Sequence, residues 1–218
     1  MISEERVMRV LHVIASPRGA KSNTLRVAQA FLDGLGDGVE VETLDLFEED
    51  LPAVAGENIE AKYKIMLGMP IDREHGESWG QVERLIAQFL AADLYVLSAP
   101  MWNFHIPYAL KYYIDAIVQP GYLFGYTETG TPIGLVQGKR MVVVSTRGGD
   151  YSEGGPMAAL DLQTPYLRAI FGFVGITDID FLHAQPMDLG PEPREAAIAA
   201  ATGAARELAA GLTAVRAG

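Results

Sequence analysis

The chain contains no cysteine among its 218 residues. Disulfide bonds, thiolate metal sites and cysteine nucleophiles are therefore excluded. No apolar run approaches the roughly 20 residues that a membrane-spanning helix needs, so we expect no membrane partner. The opening residues 1–7 are polar and acidic, without the basic and then apolar pattern of a secretion signal. These absences favour a soluble cytoplasmic protein.

Positive charge is scarce as well. Lys and Arg number 17 against 28 Asp and Glu, which gives a formal net charge of -11. Such a surface repels nucleic-acid backbones, so we expect no nucleic-acid partner. A bound phosphate group would have to be held mainly by backbone N–H groups and hydroxyls. No metal site is predicted either, because the histidines are scattered without ligand spacing; they are His12, His75, His105 and His183.

Strand-like and helix-like segments alternate along a chain that is 49% hydrophobic and 21% charged. The apolar patterns predict strands over 9–16, 39–46, 93–98, 140–146 and 177–183. They predict helices over 22–35, 57–67, 78–92, 106–118, 164–172 and 191–215, and a hairpin-like excursion over 119–139.

This alternation is typical of a parallel sheet with right-handed crossovers. We therefore expect one domain over residues 1–218. Its fold class is α/β, a flavodoxin-like three-layer α/β/α arrangement with a five-stranded parallel sheet in the order 2-1-3-4-5. The alternating pattern of 39–46 predicts a strand near an edge of that sheet, and Ser78 is a plausible N-cap for its helix.

The loop after the first strand carries hydroxyl and amide side chains at the start of a helix, namely Ser16, Ser22, Asn23 and Thr24. A helix N-terminus offers unpaired N–H donors and partial positive charge, which suits a single phosphate group. The Walker signature and the Gly-x-Gly-x-x-Gly dinucleotide pattern are both absent. An ordinary N-cap with a solvated turn is an equally good interpretation of this loop alone.

The loop after the third strand reads Met101, Trp102, Asn103, Phe104. Aromatic side chains beside one amide suit a flat heterocycle, with stacking on its faces and hydrogen bonds at its edge. Taken alone, Trp102 or Phe104 is more often a core residue than a cofactor contact. Asn103 weakens that alternative, because a buried amide must find hydrogen-bond partners.

The loop after the fourth strand reads Thr146, Arg147, Gly148, Gly149. Paired glycines allow a backbone to approach a ligand closely, although a simple turn is the better explanation of this loop when it is taken alone. The predicted strand order makes these three loops neighbours at one edge of the sheet. A phosphate site beside a ring site fits flavin mononucleotide (FMN) best, with Arg147 placing positive charge near the flavin N1 and O2 edge.

Four motifs together resemble those of the FMN-dependent NADH azoreductases, also called NADH:quinone oxidoreductases. They lie at 100–115, which reads Pro-Met-Trp-Asn-Phe-x-Ile-Pro-x-x-Leu-Lys-x-Tyr-x-Asp, and at 146–149, 164–167 and 171–178. The match runs in order from the first strand to the fifth, over most of the chain. The region 47–76 does not align clearly with the family.

The resemblance implies a flavodoxin-like homodimer with one FMN per subunit and active sites at the subunit interface. It implies two-electron transfer from NADH or NADPH to quinones and azo compounds by a ping-pong mechanism, with hydride passing through the flavin N5 and no catalytic side chain required. His105 or Tyr126 could supply a proton, although an ordinary surface histidine and a packed tyrosine are the simpler interpretations.

The resemblance also assigns the individual residues of the site. By it, Ser16, Ser22, Asn23 and Thr24 would hold the phosphate and ribityl end, although family members often have Ser-x-Ser where this chain has Ser-Asn-Thr. The ring would lie against Met101, Trp102, Asn103 and Phe104, and its pyrimidine end against Thr146, Arg147, Gly148 and Gly149. The substrate pocket would be shaped by Tyr126 and Phe173.

Three other functions share parts of this pattern. A flavodoxin-type electron carrier has the same fold and FMN but does not turn over with NADH. A flavodoxin-like interaction protein would have an empty crevice, which the co-occurrence of the three loops disfavours. An FMN reductase that releases its flavin would bind FMN weakly.

Overall fold

The computed structural model describes residues 7–71 and 73–216. Within them the strands, in chain order, are β1 (Met8–Ile14), β2 (Val39–Asp45), β3 (Leu94–Ser98), β4 (Phe124–Tyr126), β5 (Pro132–Gly134), β6 (Arg140–Thr146) and β7 (Asp178–Ala184). The α-helices are α1 (Asn23–Gly34), α2 (Glu57–Met66), α3 (Arg73–Ala91), α4 (Tyr108–Ile117), α5 (Gln163–Val174) and α6 (Pro191–Arg216).

Five of these strands form one parallel sheet in the order β2-β1-β3-β6-β7. Counting only the strands of this sheet, that is the predicted order 2-1-3-4-5. The predicted hairpin is also present, because β4 and β5 pair antiparallel outside the main sheet. The alternating strand β2 lies at an edge, and most of its side chains are exposed, as its sequence pattern predicts.

Helices cover both faces of the sheet because each face is apolar. One face carries a core to which α1 and α6 contribute, with Phe31 and Ala205 fully buried in it. The other face carries a larger core built with α2, α3, α4 and α5, in which Trp79 and Phe171 are buried. The central strand β3 is buried along its whole length, as a strand covered on both faces must be.

The register of the sheet brings the three loops together. Ile14 at the end of β1 pairs with Ser98 at the end of β3, and Ser98 pairs with Val144 near the end of β6. The chain therefore leaves all three strands at one edge of the sheet, where ligands bind in open α/β folds.

Two helix starts differ from the prediction. Helix α3 begins at Arg73, so Ser78 lies inside the helix instead of capping it. Helix α4 begins at Tyr108, with Pro107 in extended conformation as its N-cap. A serine acts as an N-cap only where the backbone before it is not helical, and the backbone before Ser78 is already helical. At the start of α4, the ring of Pro107 fixes its own φ angle. Among the described residues, no helix is long and apolar enough to cross a membrane.

Candidate cofactor site

A cleft of about 450 Å³ lies at the carboxyl edge of the sheet. Its size falls within the range of small-molecule sites, roughly 300–1,000 Å³. All three predicted loops contribute to it. The predicted residues that line it are Ser16, Ser22, Asn23, Thr24, Met101, Trp102, Thr146, Arg147 and Gly148.

The first loop forms an ordered end of the cleft. Ser22 is the N-cap of α1, and its hydroxyl accepts a hydrogen bond from the backbone N–H of Leu25 at 3.3 Å. The hydroxyl of Ser16 donates to the hydroxyl of Ser22 at 2.8 Å, and both serines are only 2% exposed. The N-cap interpretation is therefore correct, and the cap also lines the cleft. Asn23 and Thr24, whose backbone N–H groups begin α1 and have no carbonyl partner within the helix, line the cleft beside it.

A threonine pair joins the first loop to the third. The hydroxyls of Thr24 and Thr146 lie 2.8 Å apart in a hydrogen bond, and Thr24 is 1% exposed. The side-chain oxygen of Asn23 accepts from Arg26 at 3.2 Å, which leaves the Asn23 amide N–H groups as donors. Donors from both loops are thus fixed at one end of the cleft.

The second loop is a tight two-residue turn. Trp102 and His105 exchange two backbone hydrogen bonds of 2.9 Å each, and the residues between them have positive φ, 47° at Asn103 and 69° at Phe104. Two positive φ values are what a type I′ hairpin turn requires. Neither Asn103 nor Phe104 is among the residues that line the cleft.

Exposure in this turn corrects one prediction and removes one alternative. Trp102 is 37% and Phe104 39% exposed, so these two rings are not core residues. Asn103 is exposed too, so the expectation of a buried amide in need of partners was wrong. Asn enters the left-handed backbone region more readily than most residues, and the turn itself accounts for an Asn at this position.

The third loop buries its charged side chain. The Arg147 side chain is 1% exposed, and its guanidinium pairs with Asp161 at 3.0 Å and donates to Thr164 at 2.7 Å. It also donates to Gln163 at 3.1 Å, at the start of α5. The positive charge expected at a flavin edge is therefore largely balanced inside the protein by Asp161.

The two glycines have protein neighbours at close range. A Cβ on Gly148 would lie 2.4 Å from a carboxylate oxygen of Asp188, and one on Gly149 would lie 2.2 Å from the sulfur of Met157. A side chain at either position would have to displace the end of the Asp188 or the Met157 side chain, so these glycines leave room for protein neighbours as well as for a ligand. Of the two, only Gly148 lines the cleft.

Several lining residues were not predicted from the sequence, among them two in the segment after β7 and one at the start of α6. They are Pro17, Arg18, Pro100, Met187, Asp188 and Arg194. The backbone N–H of Met187 donates to the carbonyl of Arg147 at 2.9 Å, which fixes this segment against the third loop. The predicted sheet order contained the signal, since β7 lies beside β6 and ends at the same edge.

The region 47–76 adds an aromatic ring beside the cleft. Phe47 lies 6.4 Å from Trp102 and 5.7 Å from Tyr108, measured between ring centroids, and Trp102 lies 6.3 Å from Tyr108. The sequence left the contribution of this region open. The structure shows that it packs an aromatic side chain against Trp102.

Tyr126 and Phe173 lie close to each other but not in the cleft. Phe124 contacts both rings, at 5.8 Å from Tyr126 and 4.8 Å from Phe173. Their exposed fractions are 56% and 38%, and neither lines the cleft within this chain.

The fold is α/β with a parallel sheet, and the cleft at the carboxyl edge of that sheet is lined by hydroxyl side chains together with an aromatic ring. A family model described as flavodoxin-like fold matches residues 8–209. An FMN-dependent NADH:quinone oxidoreductase of Nitratidesulfovibrio vulgaris is 40% identical over 204 residues, which cover 92% of this chain and 97% of that protein.

Solved structures show the same relationship. An azoreductase from Bacillus anthracis strain Sterne has a TM-score of 0.84 at 31% identity, over 94% of this chain and 99% of that one. An FMN-dependent NADH-azoreductase from the Ames Ancestor strain, solved in complex with FMN, has a TM-score of 0.80 at 29% identity, over 93% and 99%. The chain belongs to the flavodoxin-like family of FMN-dependent NADH:quinone oxidoreductases and azoreductases.

Proposed function

We propose that this chain is an FMN-dependent enzyme that transfers two electrons from NADH or NADPH to quinones and azo compounds. The observation that carries the proposal is the cleft itself, in which a buried hydroxyl pair at the start of α1 lies in one site with Trp102. FMN, when bound, would supply the two-electron chemistry between donor and acceptor.

The residues at the start of α1 would bind the phosphate group. Ser16 and Ser22 are buried and already oriented by their hydrogen bond, so little ordering is needed when a ligand binds. The backbone N–H groups of Asn23 and Thr24 and the Asn23 side-chain amide would add donors, and the dipole of α1 would add partial positive charge. Thr24 would act with them, and its bond to Thr146 would keep this end continuous with the ring site.

The remaining loops would position the ring. Met101 and Trp102 would offer an apolar wall, while Thr146, Arg147 and Gly148, which line the same cleft, would offer backbone groups to the polar edge of the ring. The Arg147 side chain would act indirectly, by fixing the third loop to α5. Asn103, Phe104 and Gly149 stand outside the lining and would contact the ring, or a bound substrate, from the rim.

The larger-scale features of the proposal follow from the family resemblance. Residues 1–218 would form a single FMN-binding domain that works as a homodimer in the cytoplasm and turns over by a ping-pong mechanism. Tyr126 and Phe173 would then shape the substrate pocket of the partner subunit, which accords with their distance from the cleft of their own chain. These features stay predictions.

The test is reconstitution of the purified protein with FMN. We expect a yellow protein that oxidises NADH when a benzoquinone or the azo dye methyl red is present, and whose bound flavin is bleached by NADH without oxygen. A protein that takes up no FMN would refute the proposal. A yellow protein that NADH fails to bleach would indicate an electron carrier instead.

A further inference from the structure

The cleft contains a charge pair that neither the sequence motifs nor the proposed residue roles include. Arg194 lies in the first turns of α6 and lines the cleft together with Asp188, from the segment just before that helix. Its neighbour Glu195 contacts Arg26 of α1 at 3.4 Å, which places the start of α6 beside the start of α1. Arg194 and the serine loop therefore line the same cleft from two neighbouring helix starts.

The guanidinium of Arg194 is anchored at one end only. Its Nε donates to the carbonyl of Met187 at 2.8 Å, which holds the side chain in a fixed direction. Its terminal nitrogen lies 3.8 Å from the carboxylate of Asp188, beyond hydrogen-bond distance. The side chains are 43% and 78% exposed, so this contact is weak and accessible to a competing anion.

The charges of the ligand and of the cleft indicate a role for Arg194. A phosphate monoester carries nearly two negative charges at neutral pH, and it must be held in a protein whose own formal charge is -11. Three arginines line the cleft, and Arg147 is already neutralised by Asp161. Arg18 and Arg194 are the lining cations left for the ligand among the described residues, and Arg194 is the one held in place by a backbone hydrogen bond.

We propose that Arg194 binds the phosphate of the cofactor through its terminal N–H groups, and that Asp188 opposes this by occupying the same guanidinium when the phosphate is absent. The inference rests on the proposed function, because it takes the 5′-phosphate of FMN as the ligand. The same chemistry is present in the 2′-phosphate of NADPH, so the experiment must separate these two sources.

The experiment compares FMN with riboflavin, which has the same ring and lacks the phosphate. Dissociation constants are measured by quenching of flavin fluorescence in the full-length protein. Arg194→Gln should weaken FMN binding about tenfold, since a charge-assisted hydrogen bond is lost, and leave riboflavin binding unchanged. Asp188→Asn should tighten FMN binding about threefold, because it removes an opposing charge from the site.

Arg206→Gln is the matched control. It removes the same charge from the same helix at an exposed position about 18 Å further along its axis, and FMN binding should not change. Equal losses of FMN and riboflavin in Arg194→Gln would reveal a structural role and overturn the inference, as would an unchanged FMN constant. A variant whose only defect is a raised KM for NADPH would assign Arg194 to the dinucleotide and overturn it too. If the unaltered protein binds neither flavin, the proposed function itself fails.

Discussion

Asn103 combines two separable properties, a backbone in the left-handed region and an exposed amide beside the cofactor cleft. Glycine keeps the first property and removes the second, whereas alanine loses both. If the amide contacts the flavin edge, Asn103→Gly should fold like the unaltered protein yet bind FMN several-fold more weakly. Asn103→Ala should show the same binding defect together with lower stability.

The two readouts for Asn103 are flavin fluorescence quenching and thermal unfolding of the protein without flavin. Normal FMN binding and normal NADH turnover in Asn103→Gly would show that Asn serves only the turn.

The backbone of Phe104 has a φ of 69°. This left-handed conformation costs a residue with a Cβ about 1–2 kcal/mol. Such strain persists where the surrounding structure imposes it, and it gathers at functional sites. Comparing Phe104→Gly with Phe104→Ala isolates the strain, because both variants lose the ring. We expect the glycine variant to be more stable by about 1 kcal/mol in urea unfolding.

The alanine variant is thus the control for loss of the Phe104 ring. Equal free energies of unfolding for the two variants would show that the backbone here is not strained.

At the scale of elements, one carboxylate fastens the end of β6 to the start of α5. The oxygens of Asp161 accept hydrogen bonds from the backbone N–H groups of Gln163 and Thr164, at 3.1 and 2.9 Å, and pair with buried Arg147. Burial alone would raise the pKa of Asp161, but the hydrogen bonds from Thr164 and the charge of Arg147 outweigh it and lower that pKa.

Removing this carboxylate leaves a buried guanidinium unpaired and a helix start uncapped. Asp161→Ala should therefore lower the free energy of unfolding by about 3 kcal/mol at pH 7. Because the pKa is depressed in the folded state, this contribution is present above the unfolded value of about 3.9 and is lost as pH falls below it. Urea unfolding at pH 7 and pH 3 measures both effects.

Asp37→Ala, at an exposed position, is the control for Asp161→Ala and should change the stability by less than about 0.5 kcal/mol. A variant of Asp161 that is as stable as this control would contradict the assigned role.

The elements and the three loops could be predicted because their signals are local. The apolar run of β3 and the hydroxyls of Ser16 and Ser22 identify themselves within a few residues of sequence. The positions of Asp188 and Arg194 could be predicted only in part. The sheet order brings the segment after β7 to the same edge, but Asp188 is placed by a backbone hydrogen bond to Gly148 and Arg194 by the packing of α6 on α1, and no local motif encodes either contact. The exposure of Asn103 depends on the geometry of its turn, which an Asn-Phe pair in the sequence does not predict.

At the scale of the whole molecule, the apolar sheet forces two histidines to stay neutral. His12 in β1 is 6% exposed and shares a 2.8 Å hydrogen bond with Ser98, and burial lowers its pKa to about 4, against the opposing charge of Asp45. His183 in β7 behaves alike, since burial and the charge of Arg147 lower its pKa to about 3. Both side chains regain an ordinary pKa near 6.5 when the chain unfolds.

The sign of the resulting pH dependence follows from these shifts. Below about pH 6.5 the two histidines bind protons in the unfolded chain but stay neutral in the folded protein. The free energy of unfolding therefore decreases as the pH is lowered, until the pH reaches the folded pKa values. Each histidine should lower the free energy of unfolding by about 2 kcal/mol when the pH is changed from 7 to 5, a range in which most carboxylates stay ionised.

Replacing His12 with Gln keeps a hydrogen-bonding group near Ser98 and removes the titration. His12→Gln should therefore lose about 2 kcal/mol less than the unaltered protein between these two pH values, measured by urea unfolding. His183→Gln should behave likewise, and the double variant should be nearly independent of pH in this range. An unaltered protein equally stable at pH 5 and pH 7 would mean that the sheet tolerates a charged histidine, and the buried His12–Ser98 pair would then need another explanation.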